Sequence, residues 1–221
     1  GITSIPVTVA ISPTSTGRVI TLNGTPRSVK LSPDGKHAYV ATGSGGISVI
    51  DTATNSVAAV IDASATDFLV NPTGTRILGE SGVRTGQRVD TQFQVIDTSS
   101  NAVLVNTVLV GAQSAVISAS GTRAYVPYFD RATSDGSGVK IAVLDLTTGA
   151  VLPHIDAPTL ESISLFANSV DGKVYGVAGA DAEPGAGFDV NGMAVGREFA
   201  YRTRGQADPV FVILGFPGNA D

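Results

Sequence analysis

Among 221 residues the chain has no cysteine and only 2 histidines, so thiol nucleophiles, thiolate metal sites and histidine-rich centres are closed to it. Carboxylates, arginines and aromatic rings must carry whatever chemistry it does. Asp51, Asp97 and Asp145 attract notice first, because each opens a similar Asp-Thr or Asp-Leu turn. Recurrence argues against catalysis. An Asp that starts an Asx-type turn does the same structural work wherever it recurs. Asp181, Glu183, Asp189 and Asn191 form a carboxylate-rich stretch of the sort calcium favours, but they lack the register of a calcium loop. No cofactor is expected, and calcium is the one cation this segment brings into view. Ser137-Gly138-Val139-Lys140 has a serine–lysine spacing used by some acyl-transfer enzymes, but no helix surrounds it to present the pair. His37 reads as a surface position at a strand start, and His154 as exposed or capping. Asn23-Gly24-Thr25 fits the glycosylation pattern, a short motif that arises often by chance.

The remaining polar chemistry gathers in three segments. Glu80–Gln92 holds Arg84, Arg88 and Asp90; Tyr128–Gly138 holds Asp130, Arg131 and Asp135. Gly179–Ala207 interleaves Phe188, Arg197, Phe199, Tyr201, Arg202 and Arg204. Arginine with aromatic rings suits protein and glycan interfaces, where planar donors combine with rigid apolar surface. The alternative is that these mixed-sign charges pair among themselves and the segments merely pack over the fold.

The elements that position these segments are strands. A turn recurs as Ser32-Pro33-Asp34-Gly35-Lys36, Asn71-Pro72-Thr73-Gly74-Thr75, Ser118-Ala119-Ser120-Gly121-Thr122 and Ser169-Val170-Asp171-Gly172-Lys173, about 40 to 50 residues apart. Apolar, β-branched runs flank each copy, and the Asp turns recur out of phase with it. Each period thus holds four short strands punctuated by Asp, Asn, Pro and Gly, and no helical periodicity appears. Four strands per period is the blade of a β-propeller.

Leu31-Ser32-Pro33-Asp34-Gly35-Lys36-His37-Ala38-Tyr39-Val40-Ala41-Thr42, followed by Ile50-Asp51-Thr52-Ala53-Thr54-Asn55, resembles the YVTN-type β-propeller repeat of bacterial surface and secreted proteins. The likeness covers mainly residues 26–159. It implies an all-β propeller of four-stranded antiparallel blades, with four or five blades or an arc of a larger ring. It says little of activity, since propellers host many. The expected division is a half-blade at 1–25, with strands near 6–11 and 18–22. Full blades follow at 26–66, 67–112 and 113–159, then an irregular last blade at 160–221 with a long insertion, 179–207, between its second and third strands. The innermost strands should include Val29–Leu31, Phe68–Val70, Val116–Ser118 and Ile163–Leu165.

In a propeller the second-to-third-strand connections share one face, and here those are the connections that lengthen. Growth on one face fits a binding surface on a scaffold. The expected function is a noncatalytic secreted or cell-surface bacterial propeller that binds a protein or glycan there. The alternative is a lactonase-like or other hydrolase with its site at the central channel. Further blades or a second copy are conceivable partners. A formal charge of −5 argues against nucleic acid, and no apolar run is long enough to span a bilayer. The first residue is Gly1 with no signal segment, which suggests a processed or trimmed form. Charged residues are 15%, against about 25% in an average domain, and with the lack of cysteine this suits an exported protein.

Overall fold

The computed structural model describes residues 19–129, 139–157, 163–167, 174–178, 196–201 and 211–215. All its regular structure is antiparallel β. Blade 1 comprises β1 (Ser28–Leu31), β2 (His37–Ala41), β3 (Ile47–Asp51) and β4 (Ser56–Ile61), paired in that order. Blade 2 repeats the order with β5 (Asp67–Val70), β6 (Arg76–Thr85), β7 (Arg88–Asp97) and β8 (Ala102–Leu109). Blade 3 does so with β9 (Val116–Ile117), β10 (Arg123–Phe129), β11 (Val139–Asp145) and β12 (Val151–Ala157). The chain is a β-propeller of four-stranded blades. β1 lies beside β5 and β9 beside β13 (Ile163–Ala167), which gathers the first strands on the axial side as expected.

The two repeated turns set this geometry. In the turn after each first strand, Gly35, Gly74 and Gly121 have φ of 69°, 73° and 75°, the left-handed region where a side chain is strained. The residue three places earlier closes the hairpin with side chain and backbone. His37 N–H donates to Ser32 Oγ (3.0 Å), Arg76 N–H to Asn71 Oδ1 (2.9 Å) and Arg123 N–H to Ser118 Oγ (3.1 Å). In the Asp turns the left-handed position falls to Asn55, Asn101 and Gly149. Asn and Gly tolerate that region best.

The core is two apolar layers between blades rather than one central mass. Tyr39, Ala41, Ile47 and Val49 of blade 1 meet Phe68, Ile77 and Ile96 of blade 2. Leu78, Phe93 and Val95, on the other face of blade 2, meet Ala124, Val126, Ala142 and Leu144 of blade 3. Alternation along each strand supplies both layers at once. The outer strands are mostly exposed and carry a register shift in every blade, between Val49 and Ile50, Val95 and Ile96, and Ile141 and Val143. Pro153 sits in β12 at that irregularity, on an outer strand, where a missing N–H is tolerated.

Three expectations change. Val19–Leu22 is not a strand, and Val19 is exposed; β-branched composition without a partner strand makes no ladder. Glu80–Gln92 is not a loop, because β6 and β7 stay paired as far as Thr85 and Arg88. Within the expected insertion 179–207, β15 (Gly196–Tyr201) forms a strand antiparallel to β16 (Phe211–Gly215), and β16 lies beside β14 (Val174–Ala178). The proposed strand near 6–11 lies outside the described residues.

Candidate functional site

The lengthened connections become hairpins. Blade 1 turns at Thr42–Gly46 after a five-residue β2, whereas β6 and β7 run to 10 residues each. Their tip is a two-residue turn, Gly86-Gln87, with Gly86 at φ 67°, where a tight hairpin turn of this kind places glycine. β8 follows the hairpin part of the way, with Leu109 paired to Thr91. Beyond that point the arm is two-stranded. Arg84 is exposed on it, as is Val89 at 66%. Arg88 begins β7 at the tip. Asp90 is buried at 5% exposure, so it supports the base of the arm rather than facing a partner.

In blade 3 the described pairing of β10 and β11 runs to Phe129 opposite Val139. Asp130, Arg131 and Asp135 lie outside the described residues. So do Phe188, Arg202, Arg204, and the calcium-type set Asp181, Glu183, Asp189 and Asn191. Arg197, Phe199 and Tyr201 fall on β15. Among the described residues no group of three or more His, Asp or Glu could hold a metal ion.

The three recurrent aspartates are turn-formers. Asp51 Oδ1 accepts from Thr54 N–H (2.8 Å) and hydroxyl (2.9 Å), which hold its pKa below the usual range. Asp145 accepts from the N–H groups of Thr148 (3.0 Å) and Thr147 (2.8 Å), with the same effect. Asp97 is lowered to about 2, by the Ser99 hydroxyl first, then Ser100 N–H and hydroxyl and the Arg76 charge. The next residue ties this turn to the glycine turn: Thr52 donates its hydroxyl to Gly35 O and Thr98 its own to Gly74 O, both at 2.8 Å.

Arg76 spans two blades. Its Nη1 pairs with Asp97 Oδ2 at 2.5 Å and donates to Thr75 O at 2.8 Å. Its Nε donates to Leu146 O (2.7 Å) and its Nη2 to Thr147 O (3.2 Å) in blade 3. Each guanidinium nitrogen donates at least once, and both ionic side chains are largely buried.

A second polar group joins blades 1 and 2 on the axial strands. Lys30 Nζ lies 3.0 Å from Asp67 Oδ1, donates to Phe68 O, and stands 5.2 Å from the Phe68 ring centroid. The Ser28 hydroxyl donates to the same Asp67 oxygen at 2.6 Å. Burial raises the Asp67 pKa, but the bonds from Ser28, Lys30 and Phe68 N–H bring it below the usual value. Glu80 is opposite Asp67 in the β5–β6 ladder. Burial first, then repulsion from Asp67, pushes its pKa to about 7, against an opposing hydrogen bond from Ala115 N–H. A neutral carboxyl beside an ionised one can donate or accept a proton near neutrality. Sequence reasoning missed this group because Lys30, Asp67 and Glu80 come from different strands of two blades.

Comparison with known proteins finds distant likenesses in structure. The chain superposes on Kuenenia stuttgartiensis hydrazine synthase with a TM-score of 0.51 and 19% identity, over 72% of this chain and 51% of that one. The Cps50 (Swd1) β-propeller domain of Myceliophteria thermophila aligns with a TM-score of 0.47 and 10% identity, over 69% and 50% of the two chains. The RRP9 WD40 repeats align at 0.48 and 12%, over 77% and 52%. The chain therefore spans about half the length of these solved structures. No protein-family model matches it, and no curated protein matches it significantly. No helix among the described residues is long and apolar enough to cross a membrane.

Proposed function

We propose that the chain is a noncatalytic YVTN-like propeller, secreted or displayed on a bacterial surface, that binds a protein or glycan through the face bearing its long hairpins. The observation that carries this reading is the β6–β7 arm. It runs beyond the third-strand support of β8, exposes Arg84 and Val89, and has no counterpart in blade 1. A two-stranded arm with exposed apolar and cationic side chains contributes little to its own domain and fits recognition. The segments around Asp130–Asp135 and Phe188–Arg204 extend the same face in this reading. The hydrolase alternative has one observation in its favour, the carboxyl pair of Asp67 on the axial strand β5 and Glu80 opposite it on β6.

The test shortens the arm. Replacing Arg84–Val89 by Asn-Gly leaves Val83 opposite Asp90 and the buried base intact. A photo-crosslinker at position 84 of the native-length chain, with one at exposed Ala58 on the outer strand β4 as control, identifies partners by mass, while a glycan panel covers carbohydrate. Partners captured from 84 and not from 58, lost on shortening while the thermal midpoint holds within a few degrees, support the reading. Equal capture at both positions, or collapse of the shortened domain, removes it.

A further inference from the structure

The junction between blades 1 and 2 contains a groove of about 500 Å³ on the face formed by the glycine and Asp turns, opposite the hairpins. Its lining is the repeat equivalent of the residues around Arg76 at the next junction. Pro33 and Gly74 stand where Pro72 and Gly121 stand, Thr98 where Leu146 stands, and His37 where Arg76 stands. At the blade 2–3 junction the position is filled by a guanidinium that bonds the carbonyls of Leu146 and Thr147 and the carboxylate of Asp97. At the blade 1–2 junction the residues at the equivalent repeat positions are Thr98, which lines the groove, Ser99 and Asp51. Histidine is shorter than arginine, and the His37 ring lies against Tyr39 of its own strand, with centroids 6.3 Å apart.

We propose that this groove is a receptor for one arginine side chain presented by a partner protein. The molecule supplies its own precedent for what the acceptors hold. Blade 1 also places a carboxylate in the groove where blade 2 has Thr73; Lys36 Nζ stands 3.8 Å from Asp34 Oδ2, an exposed and weak ion pair that a forked guanidinium can displace. The Ser32 hydroxyl, at 2.6 Å, and Lys36 N–H, at 3.1 Å, hold the Asp34 carboxylate in place. Pro33 and Tyr39 offer the apolar wall that an arginine's methylenes require, which a small free cation would leave unused. Planar, forked donors match paired carbonyls and a carboxylate in a way that an ammonium group does not. This proposal is independent of the hairpin reading, because it concerns the opposite face, and either can fail alone.

The test is a titration of the isotope-labelled chain with acetyl-Gly-Arg-Gly-amide, followed through the amide resonances of His37, Gly74 and Thr98. The expected result is saturable shifts at those residues, with the lysine and citrulline peptides about tenfold weaker or more, as loss of charge-assisted forked bonds implies. Asp34→Thr, which gives blade 1 the residue type of blade 2 and keeps a turn that blade 2 already forms, should weaken binding several-fold. His37→Arg should abolish it by filling the groove from within. Linear shifts, equal response to the lysine peptide, or undiminished binding in either variant would overturn the proposal. Methylguanidinium binding as tightly as the peptide would overturn the protein partner and leave a small-cation site.

Discussion

At the scale of single residues, the repeated Asp turns were legible and the charged clusters were not. Asp51, Asp97 and Asp145 announce a turn because the hydroxyl and N–H donors they need follow within three positions. Arg76 gives no such sign, since its blade 3 acceptors are the backbone carbonyls of Leu146 and Thr147, about 70 residues away. Removing it leaves the Asp97 carboxylate without its ion partner and two carbonyls without donors. Arg76→Ala is therefore expected to destabilise the domain by about 2–4 kcal/mol, read as a drop in the urea midpoint at unchanged slope. His37→Ala, at the equivalent place in blade 1, should cost far less. Glu80 predicts a pH effect of the opposite sign to the usual carboxylate. Its folded pKa of about 7 exceeds the ordinary 4.5, so the folded state holds the proton more tightly. Stability from this group is complete below pH 4.5, declines as pH rises, and is lost above about 7. The loss is at most about 3.5 kcal/mol at about 1.4 per pKa unit, reduced by whatever solvent reaches the half-buried group. Glu80→Gln should flatten that limb in denaturation curves from pH 4 to 8. Asp97, held near 2, works the other way: its contribution persists above its unfolded pKa and disappears as pH falls toward 2. An unchanged alkaline limb in the Gln variant would contradict the assignment of the effect to Glu80.

Among the elements, strands with a repeated turn before them were legible, and those that depend on a neighbour were not. Glu80–Gln92 carries Gly82, Gly86 and several charges, a composition that favours a loop, yet the ladder set lower down by Ile77–Ile96 and Leu78–Val95 simply continues upward. Val19–Leu22 shows the converse, good strand composition with no ladder. β15 lies amid glycine, alanine and charge, with little apolar alternation to mark a strand. Burial also differs between equivalent strands. Val29 and Leu31 of β1 are 65% and 61% exposed, whereas Phe68, at the same repeat position as Val29 in β5, is fully buried. Phe68→Ala should cost about 3–5 kcal/mol, and Val29→Ala within roughly half a kcal/mol of nothing. Equal losses at the two positions, measured by denaturant unfolding, would mean that β1 is covered in solution as β5 is.

For the whole molecule, the propeller was legible because the same sentence of turns is written several times, and repetition averages out each copy's irregularities. Which residues meet across blades was not, because no spacing within a blade specifies it; Lys30 finding Asp67, and Arg76 finding Leu146, are properties of the stack. One joint in that stack has a direction. A Cβ added at Gly74 would stand 3.0 Å from Pro33 Cδ, and one at Gly121 would stand 3.2 Å from Pro72 Cδ. Each turn thus offers its proline forward and its glycine backward. A repeat built this way carries both the plug and the socket, so its gene segment can be copied or excised in frame and the flanking repeats still mate. Blade 3 departs from the pattern, with Ala119 where the proline would be. A lineage of such proteins could lengthen by inheritance of whole repeats, and the third unit, with Ala119 in place of the proline, is the one that carries the socket without the plug.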